Sequence, residues 1–279
     1  MLSLPLFPQL GNFLRQECCI LFLYEIYLSV LKTAPPFNIG TSGWSYKHWR
    51  NKFYPEGIKD KELLEYYARF FDVTEINTSF YHLPRESTVI NWVEIVPETF
   101  RFCPKISRYI THFKQLKEVE EPLERFFNVF DHIVTRLGPV LIQLPRTVHF
   151  KHEKTEILYR VLKERYSQYD FAMEVRHDSW FTEESIALMK IYNIALVISH
   201  SGRHFPYYEA VTSKNIYLRF HGPGKLYASK YPTEILEEYA KKCKKWIAEN
   251  HIIWAFFNND MNGYAVEDAL ILRKMLETK

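Results

Sequence analysis

A chain of 279 residues, 47% hydrophobic and 25% charged, has the length for one large α/β domain and the apolar mass to bury a core without staples. Its formal charge of +3 is a modest excess that allows an anionic ligand but does not announce a nucleic-acid binder. Cys18, Cys19, Cys103 and Cys243 form no CxxC pair and no Cys/His zinc spacing, and they read as reduced thiols of a cytoplasmic protein.

Residues 1–36 differ in character from the remainder of the chain. The apolar run from Cys18 to Leu31 is broken by Glu25 and is shorter than the roughly 20 residues a membrane span needs. It has neither a basic n-region nor a small-residue cleavage site, so no signal peptide and no membrane span are expected. The expectation is an apolar helix packed on the domain, or an upstream segment outside the fold. Pro35-Pro36 then punctuates the chain, and the domain is expected over 37–279.

From Phe37 a βα rhythm sets in. Strands are predicted at 37–41, 73–78, 101–106, 140–144, 171–176, 195–199, 215–220 and 252–257. Helices are predicted at 61–71, 86–96, 120–137, 154–166, 182–192, 233–250 and 266–276, with none between the sixth and seventh strands. Eight βα units argue for a parallel sheet closed into a single (β/α)₈ TIM-type barrel. Gly40-Thr41-Ser42-Gly43-Trp44 after the first strand is no dinucleotide or phosphate-loop fingerprint, which speaks against an open Rossmann sheet. The run Lys241-Lys242-Cys243-Lys244-Lys245 lies in a helical pattern and reads as a solvated face.

In such a barrel, function belongs to the C-terminal strand ends. Those ends turn polar one after another. The first leads to Trp44 and Tyr46. The second carries Glu75 and Asn77, with Tyr81 beyond. The third gives Lys105 and then His112, and the fourth gives Gln143. The fifth, Phe171-Ala172-Met173-Glu174-Val175-Arg176-His177, starts apolar and ends in charge, with Trp180 next in line. The sixth supplies His200, the seventh Arg219 and His221, and the eighth Asn258 and Asn259. Strand alternation puts Glu75 with Asn77, Glu174 with Arg176, and Arg219 with His221 on shared faces. Taken singly, each pair fits a buried ion pair or a strand-end cap. Eight such ends together fit a ligand cavity.

Candidate roles come from the chemistry of each group. Glu174 and Glu75 are paired carboxylates for acid and base work, if their surroundings separate their pKa values. Lys105, Arg176 and Arg219 suit a carboxylate, a phosphate or a developing oxyanion. His221, His177, His112 and His200 suit proton shuttling or ligand contact. Gln143, Asn77, Asn258 and Asn259 suit sugar-like hydroxyls, and Trp44, Tyr46, Tyr81 and Trp180 suit an apolar wall. No short metal motif is present. Glu75, Glu174 and His221 nevertheless offer oxygen and imidazole ligands, which leaves a divalent metal as a possible cofactor. No G-x-S-x-G elbow marks a serine hydrolase. The leading expectation is an isomerase-like enzyme moving a proton next to a carbonyl on a sugar-like or anionic small molecule, with Glu174 or Glu75 as the base. The alternatives are a metal-dependent hydrolase or nucleic-acid phosphodiesterase, and a non-catalytic ligand-binding protein.

The chain also resembles the YecE-like proteins, known as domain of unknown function 72 (DUF72), from about Ile39 to Leu276. The motifs that carry the resemblance are Ile39-Gly40-Thr41-Ser42-Gly43-Trp44-Ser45-Tyr46, Glu75-Ile76-Asn77-Thr78-Ser79-Phe80-Tyr81, Gln143-Leu144-Pro145, Glu174-Val175-Arg176-His177-Asp178-Ser179-Trp180, Tyr217-Leu218-Arg219-Phe220-His221-Gly222 and Phe257-Asn258-Asn259. The resemblance implies a TIM-type barrel, a cytoplasmic protein and a relation to sugar isomerases, with no settled reaction. It also implies that His200 stands where many relatives carry an acid.

Overall fold

The computed structural model describes residues 36–278, so the reading of 1–36 as an extension lies, but for Pro36, outside the described residues. Eight strands form: β1 (Phe37–Thr41), β2 (Val73–Ile76), β3 (Arg101–Pro104), β4 (Val140–Gln143), β5 (Phe171–Glu174), β6 (Ile194–His200), β7 (Asn215–Phe220) and β8 (Ile252–Phe257). All pair in parallel, in the order β3-β2-β1-β8-β7-β6-β5-β4, so first and last strands meet and the sheet curls into a barrel. The seam between β3 and β4 is the loosest join. It is closed by the Gly138 amide donating to the Phe102 carbonyl (2.9 Å) and the Ile106 amide donating to the Leu141 carbonyl (2.8 Å). Gly138 is required there, because a Cβ would run into the Trp254 ring and lie 2.7 Å from Cys103 Sγ.

The longer helices, Glu86–Glu94, Glu120–Phe130, His152–Arg165, Glu183–Ile191, Thr233–Ala248 and Tyr264–Glu277, come after the strands as the periodicity predicts. Two helical predictions shorten. The 61–71 segment keeps its α-helix only over Leu63–Tyr67, and 120–137 breaks after Phe130 into a tighter turn around Ile133. No helix joins β6 to β7; residues 201–214 cross as loop. None of the described helices is long and apolar enough to cross a membrane.

Alternation along the strands sorts the side chains into two cores. Ile39, Ile76, Phe102, Ile142, Met173, Leu196, Ile198, Leu218 and Phe220 point outward against the helices. Val73, Cys103, Leu141, Ala172, Ala195, Val197, Tyr217, Trp254 and Phe256 fill the barrel axis. This apolar plug is the floor on which the next inward positions stand, and those positions are polar on nearly every strand.

Candidate active site

One step above the plug, β2 contributes Glu75, β5 Glu174 and β7 Arg219, all essentially inaccessible to solvent. Burying two carboxylates and a guanidinium is tolerable only if each is paired and hydrogen-bonded. Here they are. Glu75 Oε2 accepts from Tyr217 Oη (2.9 Å) and from Arg219 Nε (3.0 Å), and Glu75 Oε1 accepts from Arg219 Nη2 (2.6 Å). Arg219 Nη1 donates to Glu174 Oε2. Arg176, two residues beyond Glu174 on the same face, donates from Nε (3.0 Å) and Nη2 (2.9 Å) to Glu174 Oε1. The result is a chain of alternating charge, Glu75, Arg219, Glu174, Arg176, drawn from three strands.

This network sets protonation. Burial pushes the Glu174 carboxyl upward, but Arg176 and Arg219 outweigh it and hold the group well below the usual carboxylate range. His221 lies with Nε2 at 3.4 Å from Glu174 Oε1, without a hydrogen bond, while its Nδ1 accepts from Asn258 Nδ2 at 3.2 Å. Burial dominates its titration and lowers it to about 4, so the ring is neutral at physiological pH.

Lys105 lies just past β3 and outside that chain of charges. Its Nζ donates to the neutral Gln143 Oε1 at 2.9 Å and sits 4.0 Å from the centre of the Phe80 ring. Gln143 is oriented by its own Nε2, which donates to the Leu144 carbonyl at 2.8 Å. Desolvation, reinforced by Arg219 and only partly opposed by Glu75 and Glu174, lowers the ammonium to about 7. His112, held by Thr111 Oγ1 at 2.9 Å, is lowered to about 4 by burial and by the positive charge of Lys105.

Above these groups a cavity of about 450 Å³ opens at the C-terminal face, lined by Tyr46, Asn77, Phe80, Tyr81, Lys105, His112, Gln143, Arg176, Arg219, Tyr227 and Asn258. Its volume suits a small metabolite. Asn77 donates from Nδ2 to the Ser42 carbonyl (3.0 Å), and its buried Oδ1 has no partner among the described residues. Arg176 has its guanidinium 3.9 Å from the centre of the Phe205 ring, so the β6–β7 loop covers one flank.

The barrel has solved counterparts, and the sequence match is decisive: the family model described as "Protein of unknown function DUF72" matches residues 38–279. The chain belongs to the DUF72 family. The UPF0759 protein YecE of Escherichia coli K12 is 31% identical over 145 residues, 52% of this chain, and the match spans only 50% of YecE itself. YunF of Bacillus subtilis is 24% identical over 269 residues, covering 86% of this chain and 94% of YunF. The crystal structure of a DUF72 family protein from Thermotoga maritima superposes with a TM-score of 0.76 at 28% identity, covering 86% of this chain and 99% of that one. A DUF72 family protein from Enterococcus faecalis, at 23% identity and TM-score 0.75, shares the fold.

In this DUF72 barrel the expected site residues divide. Tyr46, Asn77, Tyr81, Lys105, His112, Gln143, Arg176, Arg219 and Asn258 line the cavity, and Glu75, Glu174 and His221 lie buried beside them. Phe80 and Tyr227 line it too, without having been expected there; Tyr227 sits in the loop after β7, where its amide donates to the His221 carbonyl. Five expected residues stand elsewhere. Trp44 packs edge-on against Trp92, 5.3 Å away, in the outer layer. Trp180 is buried and donates from Nε1 to the Val148 carbonyl. His177 stacks on His149 and caps the turn at Ser179. Asn259 is fully buried, bridging the Ser229 carbonyl and Asp268. His200 bonds Tyr231 Oη on the outer face of β6, because Ser199 takes the inward position. The place between Glu75 and Glu174, where a divalent cation was considered, is filled by the Arg219 guanidinium. Among the described residues no three His, Cys, Asp or Glu side chains converge as metal ligands.

Proposed function

We propose that this DUF72 protein is a cytoplasmic enzyme that moves a proton next to a carbonyl on a small anionic, sugar-like molecule, with Lys105 as the reactive group. The observation that carries this is the isolation of Lys105. It is a buried amine facing a cavity, bonded among the described residues only to a neutral amide, and lowered to about 7 so that both protonation states are populated at neutral pH. Glu75 and Glu174 serve in this reading as counter-ions that hold Arg219 and Arg176 in place, rather than as the base. The N–H groups of Arg176 and Arg219 not engaged by carboxylates take the anionic end of the ligand. Asn77 Oδ1 accepts from a ligand hydroxyl, and Asn258 and Tyr46 border the same space. With two acids against two guanidiniums, the protonated Lys105 leaves the cavity one positive charge in excess, which favours a ligand bearing a single negative charge.

The test is deuterium wash-in, monitored by NMR, at the carbon beside the carbonyl of pyruvate and of hydroxypyruvate in heavy water. The wild type is expected to accelerate exchange, and Lys105→Met to lose roughly 100-fold or more of that acceleration. Stabilisation by these compounds with no exchange would favour the ligand-binding protein. Neither exchange nor stabilisation across 2-oxo acids and hydroxyaldehydes would remove the reading altogether.

A further inference from the structure

We propose that Lys105 acts covalently, its amine condensing with the carbonyl carbon of the ligand to form an imine, a step that rests on the small-molecule reading above. The geometry favours a nucleophile over a simple base. Nζ pairs with no carboxylate among the described residues, and its only hydrogen bond is to Gln143 Oε1, which Gln143 Nε2 fixes in orientation through the Leu144 carbonyl. An amine held by a carboxylate stays protonated and inert; one held by an amide carbonyl keeps its lone pair available. The same surroundings suit the product. A protonated imine at this nitrogen would keep the Gln143 acceptor and would lie over the Phe80 π face, already 4.0 Å from Nζ. The other basic groups are less free. Glu75 and Glu174 are covered by guanidinium, and His221 is buried with Nδ1 bonded to Asn258.

The step balances without an external oxidant or reductant. The neutral amine adds to the carbonyl carbon, forming C–N as the C=O π bond opens onto oxygen. Oxygen takes up two protons, one from the nitrogen and one from solvent water entering the open cavity, and departs as water. The C=N bond that remains is protonated on nitrogen and draws electrons from the neighbouring C–H, which is the bond the proposed reaction must weaken. Water reverses the sequence and releases the lysine. The charged and titratable groups around Lys105 are Glu75 on β2, His112 after β3, Glu174 and Arg176 from the β5 end, and Arg219 on β7. The two arginines place a carboxylate of the ligand within the same cavity, which points to 2-oxo acids and their aldehyde analogues as the substrate class.

The experiment uses the full chain and glyoxylate, with sodium borohydride to reduce any imine to a stable carboxymethyl amine, and then peptide mapping by mass spectrometry. At pH 7 the Lys105 peptide is expected to carry the carboxymethyl group at roughly tenfold the level of any surface lysine, because only a lysine with a lowered pKa has much neutral amine there. Acetate, a singly charged anion without an electrophilic carbonyl of that kind, is expected to suppress the Lys105 adduct and spare surface adducts. If glyoxylate and acetate raise the melting temperature while Lys105 stays unmodified, the imine is overturned and the small-anion site survives. If neither compound stabilises the protein and Lys105 stays unmodified, both fall.

Discussion

Glu174→Gln separates a structural counter-ion from a catalytic base. Glu174 is fully buried, with Arg176 on one oxygen and Arg219 on the other. The substitution keeps the shape and one acceptor but leaves two guanidiniums facing a neutral amide. Breaking a buried pair by removing one partner costs about 3–5 kcal/mol, because the remaining charge is uncompensated. A domain of this size loses roughly 2–4 °C of melting temperature per kcal/mol, so the drop should be on the order of 6–20 °C. Calorimetry at pH 7, with urea unfolding for the free energy, measures it. The pH dependence supplies a second check. Burial raises the Glu174 pKa, but Arg176 and Arg219 bring the net value well below normal. The folded carboxyl therefore binds its proton more weakly than the unfolded one, near about 4.3. Its contribution is fully present above that value and is lost as pH falls through the folded pKa. The gap between wild type and Glu174→Gln should hold steady from about pH 7 to 5 and narrow in acid. A melting temperature within about 1 °C of wild type, or a gap indifferent to acid, would refute the counter-ion assignment.

Lys105 makes a pH statement of the same sign in a higher window: its folded pKa is about 7, against about 10.4 for an unfolded lysine, so between these values the unfolded chain binds the extra proton and stability should rise with pH. Urea unfolding of wild type and Lys105→Met across that window should show wild type gaining on the order of 4 kcal/mol relative to the variant, and parallel curves would contradict the burial of a free amine. His221 should remain neutral, with the proton on Nε2 and Nδ1 accepting from Asn258, down to about pH 4; ring-nitrogen NMR reporting an imidazolium at pH 6 would rule this out.

The barrel was legible because its local signals agree. Strand cores read as short apolar runs, helices as longer amphipathic ones, and the strand ends as a change from apolar to polar. Alternation then carried the site a long way, placing Glu75 with Asn77, Glu174 with Arg176 and Arg219 with His221 on inward faces, as the structure has them. It failed where the parity of one residue decided the face: β6 runs through His200, so Ser199 turns inward and His200 turns out. It failed again just past the strand ends, where Trp44 and Trp180 looked like cavity walls. Trp44 instead packs on Trp92, and Trp180 is buried with its indole N–H on the Val148 carbonyl.

What no local reading supplied was the role of the carboxylates, since Arg219 lies 144 residues from Glu75 and 45 from Glu174 along the chain. Yet one inference about charge was within reach of the alternation. Inward strand-end positions hold Glu75 and Glu174 against Arg176 and Arg219, an even balance, with Lys105 left over. A buried layer matches its charges where it can, so the unmatched cation is where burial must lower a pKa rather than form a pair. In the proposed reaction the chemistry thereby moves from the most conspicuous acid, Glu174, to the lysine beside a neutral glutamine, and the fate of Lys105 becomes the measurement that decides that proposal.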